Sequence, residues 1–139
     1  MIRKGTYVLF LHIPCDTIVN VGSIGPILFQ EGYYCYVGSA MGGLDQRINR
    51  HISKEKRLRW HIDYLTMASD DVYAFESSGD CIPECDLAKL LSDNGSTPAV
   101  EGFGCSDCNC ATHLFRAEPA FLESILVKNG LTKFVPKIE

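Results

Sequence analysis

Between Tyr34 and His51 the chain reads YCYVGSAMGGLDQRINRH, and this stretch leaves few folds open. Tyr33 to Val37 is a run of strand formers, and Gly42-Gly43 end whatever precedes them. Leu44, Ile48 and Ile52 then recur at helical spacing, so a strand passes through a glycine turn directly into a short helix of about Leu44 to Ser53. Tyr34 and Tyr36 share one strand face. Arg47 and His51 lie off the apolar stripe, one helical turn apart.

The remaining elements fall around this unit. GTYVLFLHI, Gly5 to Ile13, reads as a strand with Tyr7, Leu9 and Leu11 on one face. Pro14 to Gly32 reads as a loop broken by Gly22, Gly25 and Pro26, with a short strand near Ile18 to Val21. A second helix is expected over Leu58 to Met67, with Trp60 and Tyr64 one turn apart, and a third strand over Asp71 to Ser77. Pro83 opens a third helix to about Leu91, with Leu87, Leu90 and Leu91 inward. A loop from Ser92 to Pro98 and a Gly- and Cys-rich segment from Gly102 to His113 follow. A short strand at His113 to Ala117 and a helix opened by Pro119 and closed by Gly130 complete the order. That order is a small α+β domain with a mainly antiparallel sheet.

At 139 residues the chain fits a single domain, and 46% apolar against 22% charged residues suffices for a core. No apolar run approaches the roughly 20 residues of a membrane helix, so no membrane partner is expected. Arg3-Lys4 before Tyr7 to Ile13 imitates a signal peptide, but Pro14-Cys15 stands where a small-residue cleavage site belongs. Seven cysteines cannot all pair, and nothing else points to secretion, so reduced thiols and a cytoplasmic location are expected. The net charge of −4 disfavours a nucleic-acid binder, yet Arg47, Arg50, Lys54, Lys56, Arg57 and Arg59 face only Glu55 within thirteen residues. Such a patch on an acidic protein either holds a phosphate backbone or is a solvated helix face.

Gly5-Thr6-Tyr7 and Tyr36-Val37-Gly38 resemble the two tripeptides of the GIY-YIG nuclease superfamily, and Leu44 to Arg47 resembles the helix whose arginine meets the scissile phosphate. GYYCYVGSA, RINRH, WHIDYL and GFGCSDCNCATHLF together resemble an uncharacterised prokaryotic branch of it, a domain of unknown function found alone or fused to DNA-glycosylase domains. The resemblance implies a three-stranded, mainly antiparallel sheet flanked by helices. It divides the single domain 1–139 into a core, 1–95, and a Cys-rich extension, 96–139, packed on it.

The implied activity is metal-dependent hydrolysis of phosphodiester bonds in structured or damaged DNA, with DNA-repair proteins as further partners. Such chemistry needs an activated water, a counter-charge on the phosphoryl oxygens and help for the leaving oxygen. By resemblance, Tyr7 relays or accepts the proton of the water and Tyr36 joins the same network. Arg47 presents a permanently charged fork to the phosphate, and His51 shares the proton transfer or binds the same phosphate. Arg50, Lys54, Lys56, Arg57 and Arg59 would bind the backbone. Glu84, in the first turn after Pro83, would hold Mg²⁺ or Mn²⁺, with Asp86 and Asp63 as competitors. His61 and Asp63 read as structural, tying the second helix to the first. Two departures stand out. Tyr7 and Tyr36 are further apart than in typical members, which requires Pro14 to Gly32 to loop out, and the asparagine that often follows the glutamate has no equivalent beyond Asn94 in a loop.

Cys105, Cys108, Cys110 and His113 form a second constellation, which reads as a buried structural loop before a structural Zn²⁺ site or a redox pair, with Cys81 or Cys85 as further zinc ligands. Two other functions therefore stand beside the nuclease: a nucleic-acid-binding module without catalysis, and a zinc- or thiol-stabilised interaction domain. The sequence leaves the oligomeric state open.

Overall fold

The computed structural model describes residues 3–79, 81–103 and 112–136. The first long strand, β1 (Gly5–Ile13), lies at the centre of a sheet between β4 (Gly32–Ala40) and β5 (Asp71–Ser78), antiparallel to both. Its side chains are buried on both faces, which is why its sequence is almost continuously apolar rather than alternating. Tyr7, Leu9 and Leu11 face one layer, formed by α1 (Leu44–Ile52), α2 (His61–Ala68) and the hairpin of β2 (Thr17–Val21) and β3 (Gly25–Phe29). Val8 and Phe10 face the other, formed by α3 (Glu84–Asp93) and α4 (Pro119–Lys128).

The α+β class and the mainly antiparallel sheet agree with expectation, but the sheet is larger than three strands. β6 (Thr97–Pro98) and β7 (Leu114–Arg116) extend it beyond β4, and β8 (Thr132–Lys133) beyond β5, giving the order β6-β7-β4-β1-β5-β8. Strands of two or three residues carry no periodicity to read. The segment after residue 95 therefore supplies three strands to the sheet as well as packing against it.

The stretch expected as a loop between the first two long strands is a separate two-stranded sheet, in register from Thr17–Phe29 to Val21–Gly25. Val19, Val21 and Phe29 are buried in the core, and the Tyr64 ring on α2 lies against Gly22 at the turn. The second helix begins at His61 rather than Leu58. Asp63, three residues in, accepts the backbone N–H of both Arg59 and Trp60 at 2.8 Å and holds them extended. Among the described residues no helix is long and apolar enough to cross a membrane.

Candidate active site

The register of β1 on β4 sets Tyr7 opposite Gly38 and Leu9 opposite Tyr36, so both tyrosines stand on the face covered by α1. Tyr7 lies across Gly38 so closely that a Cβ there would come within 2.5 Å of its Cζ. A Cβ at Gly5 would collide with the carbonyl of Ser77 on β5. The glycines of the two tripeptides are thus packing requirements that bring the tyrosines together.

Tyr7, Tyr36, Arg47, His51 and Glu84 line one polar cavity of about 150 Å³, together with Ser39, Trp60 and Ile62. Two tyrosines, an arginine, a histidine and a glutamate from four elements thus meet at one cavity. Nε2 of His51 lies 2.8 Å from the Tyr7 hydroxyl. His51 is buried although it lies off the apolar stripe, because the phenol supplies its polar partner.

Burial holds His51 down to about 3. Lys56, Arg47 and Arg50 push in the same direction, and Asp63 opposes them. The imidazole is therefore neutral at pH 7. Its Nδ1 has no hydrogen-bond partner among the described residues, and the nearest carboxylate oxygen, Asp63 Oδ1, is 3.9 Å away. A proton on Nδ1 faces that carboxylate, and Nε2 then accepts the Tyr7 O–H. Burial, and next the neighbouring Tyr36, push the Tyr7 phenol well above its usual range, against the pull of Arg47.

Arg47 donates to the Ser39 carbonyl at 3.1 Å, and its guanidinium stacks 4.4 Å from the centroid of the half-buried Trp60 ring. Glu84, at the first position of α3, reaches the cavity from the other layer. Burial alone would raise its pKa, but hydrogen bonds from His113 and Ser39 hold it below the usual carboxylate range. Nδ1 of His113 lies 2.7 Å from its Oε1. An ionised carboxylate, oriented by neighbours and open to a polar cavity, fits a hard divalent cation with water completing its shell. Asp63 does not compete for that role. It is fully buried and takes both forks of Arg50 at 2.8 Å, which ties α2 to α1 as expected. His61 instead meets the β2–β3 turn, 3.4 Å from Ser23 Oγ, and Asp86 is exposed and outside the cavity lining.

Three cations of the basic patch have partners within the fold. Arg50 is held by Asp63 and the Arg57 carbonyl. Lys54 donates to the carbonyls of Thr66 and Ser69, and Lys56 to the His51 carbonyl and the Thr66 hydroxyl. These lysines satisfy carbonyls left over where α1 and α2 end, at the negative pole of each helix. Arg57 and Arg59 are exposed, and Arg59 lies 5.6 Å from the Trp60 centroid.

Of the candidate zinc ligands, only His113, Cys81 and Cys85 fall within the described residues. His113 turns Nδ1 to Glu84, while Cys105, Cys108 and Cys110 lie outside the described residues. Cys81 and Cys85 are free thiols, and no group of three or more His, Cys, Asp or Glu side chains among the described residues is arranged to hold a metal ion. The residue that sequence reasoning missed is therefore His113 as a partner of Glu84. Its place beside three cysteines pointed elsewhere.

Fold and site together define an α+β domain with one tyrosine–histidine–arginine–glutamate pocket beside its central strands. The chain belongs to the family described as Domain of unknown function DUF123, whose profile matches residues 6–132. No curated protein and no solved structure matches it.

Proposed function

We propose that this chain is a metal-dependent endonuclease of the GIY-YIG type, hydrolysing phosphodiester bonds in structured or damaged nucleic acid, DNA in preference. One observation carries the reading: Tyr7, Tyr36, Arg47, His51 and Glu84 share a single small polar cavity. The cavity, about 150 Å³, opens on one side to solvent, as a site that receives a phosphate of an extended backbone has to.

The neutral Nε2 of His51 gives the reaction a terminal proton acceptor. As water adds to phosphorus, its proton passes to the Tyr7 oxygen while the proton of Tyr7 moves to His51; the bond to the leaving oxygen breaks, that oxygen keeps the electron pair and takes a proton from solvent, and His51 then releases its proton to solvent. This relay spares Tyr7 from standing as a free phenolate, which burial opposes. Asp63 Oδ1, across 3.9 Å, favours the imidazolium that results, while burial, Lys56, Arg47 and Arg50 oppose it, so the negative charge of a bound phosphate has to supply the difference. Arg47, fixed between Ser39 and Trp60, meets the phosphoryl oxygens with little freedom to lose. Glu84 would hold Mg²⁺ or Mn²⁺, an ion that when bound lowers the pKa of water and offsets phosphoryl charge.

The test is cleavage of branched, nicked and single-stranded DNA and RNA with Mg²⁺ or Mn²⁺. Arg47→Ala and Glu84→Gln are each expected to lose about 10²-fold or more in rate, and Glu84→Gln to keep substrate affinity. A wild-type protein that binds these substrates but cleaves none of them favours the binding module and removes the nuclease.

A further inference from the structure

We propose that His113 is a positioning residue that holds the Glu84 carboxylate in the orientation in which it takes a divalent cation. The inference rests on the nuclease reading, which makes Glu84 the cation ligand.

His113 is 1% exposed, and its Nδ1 stands 2.7 Å from Glu84 Oε1. An ionised carboxylate only accepts, so at this distance the proton between them sits on Nδ1, although the ring is not aimed straight at Oε1. The backbone of His113 is pinned on both sides. Its N–H donates to the Phe103 carbonyl at 2.8 Å, and its carbonyl accepts the Val37 N–H at 2.9 Å on β4, the strand that carries Tyr36. These bonds fix where the side chain starts, and its burial leaves the ring little room to turn away.

Glu84 is the less constrained partner. It stands at the first helical position of α3, where a glutamate commonly curls back toward its own helix N-terminus. α3 has no side-chain cap hydrogen bond. The buried imidazole and the Ser39 hydroxyl instead draw the carboxylate to the cavity that also holds Tyr7 and Arg47. A carboxylate oriented before the ion arrives loses less side-chain freedom on binding, and partners of this kind typically contribute about 10–100-fold in metal affinity.

The experiment is Mn²⁺ binding to the full chain without substrate, followed by loss of the free-ion signal in electron paramagnetic resonance. The variants are His113→Asn, His113→Gln and Glu84→Gln, with urea unfolding measured for each. Asparagine places an amide N–H where Nδ1 was, whereas the longer glutamine carries its amide past that point. His113→Gln is expected to weaken Mn²⁺ binding about 10–100-fold, and His113→Asn to stay within a few-fold of wild type. Equal Mn²⁺ affinity in the two amide variants and wild type, whatever their stabilities, overturns the positioning role and leaves the nuclease reading standing. Wild-type Mn²⁺ binding that persists in Glu84→Gln overturns the assignment of Glu84 and, with it, this inference.

Discussion

Replacing His51 with glutamine is expected to make the protein less sensitive to acid. In the folded chain His51 is held at about 3 against an ordinary 6.5, by burial and then by the nearby charges of Lys56, Arg47 and Arg50, with Asp63 opposing. Below pH 6.5 the unfolded chain protonates this histidine while the folded chain does not. The unfolded state thus binds more protons, and stability falls as pH drops from about 6.5 toward about 3. pH 5 lies about 1.5 units below the ordinary histidine value of 6.5, which at about 1.36 kcal/mol per unit costs about 2 kcal/mol. Glutamine offers Tyr7 an acceptor at nearly the same place and does not titrate. Urea unfolding of both proteins at pH 7 and pH 5 isolates the contribution, because the other histidines and the carboxylates act in both. Wild type is expected to lose about 2 kcal/mol more than His51→Gln over that interval. Equal losses would refute the reasoning, since they require a His51 that titrates as it does in the unfolded chain.

Gly38→Ala is expected to cost about 1–3 kcal/mol in urea unfolding, because the new methyl group displaces the Tyr7 ring, and to lower the cleavage rate more than substrate affinity. Lys56→Met leaves the His51 carbonyl and the Thr66 hydroxyl without their donor, so it should destabilise by about 1–3 kcal/mol while the salt dependence of DNA binding stays unchanged. Arg57→Ala and Arg59→Ala should do the reverse, each lowering the slope of log affinity against log salt by about 1 with little effect on unfolding.

Local signals determined much of this protein. The strand at Gly5–Ile13, the passage through Gly42-Gly43 into a helix, and the openings of α3 after Pro83 and of α4 at Pro119 are each legible within a few residues. Steric limits at glycine and proline, and the period of apolar side chains, act over that same range. The alternation of β1 also put Tyr7 on the face of Leu9 and Leu11, as observed. That Tyr7, Tyr36, Arg47, His51 and Glu84 meet was an expectation from family resemblance, because nothing in their spacing brings four elements to one cavity.

Tertiary structure decided the roles of the polar side chains. Lys54, Lys56 and Arg50 read as a charged face, since sequence shows the charge but not the carbonyls of α2 or the buried Asp63 that receive it. His51 lies off the apolar stripe of its helix, and only Tyr7, on another strand, gives its ring a buried partner. β6 and β8 are too short to announce themselves and exist because β7 and β5 offer open hydrogen-bonding edges. His113 shows the limit most clearly. Its neighbours in sequence are cysteines, and only the pairing of its backbone with β4 carries the ring across to Glu84. A side chain's propensity is a property of its neighbourhood in the chain, whereas its hydrogen-bond partner is whichever group the folded sheet brings within 3 Å.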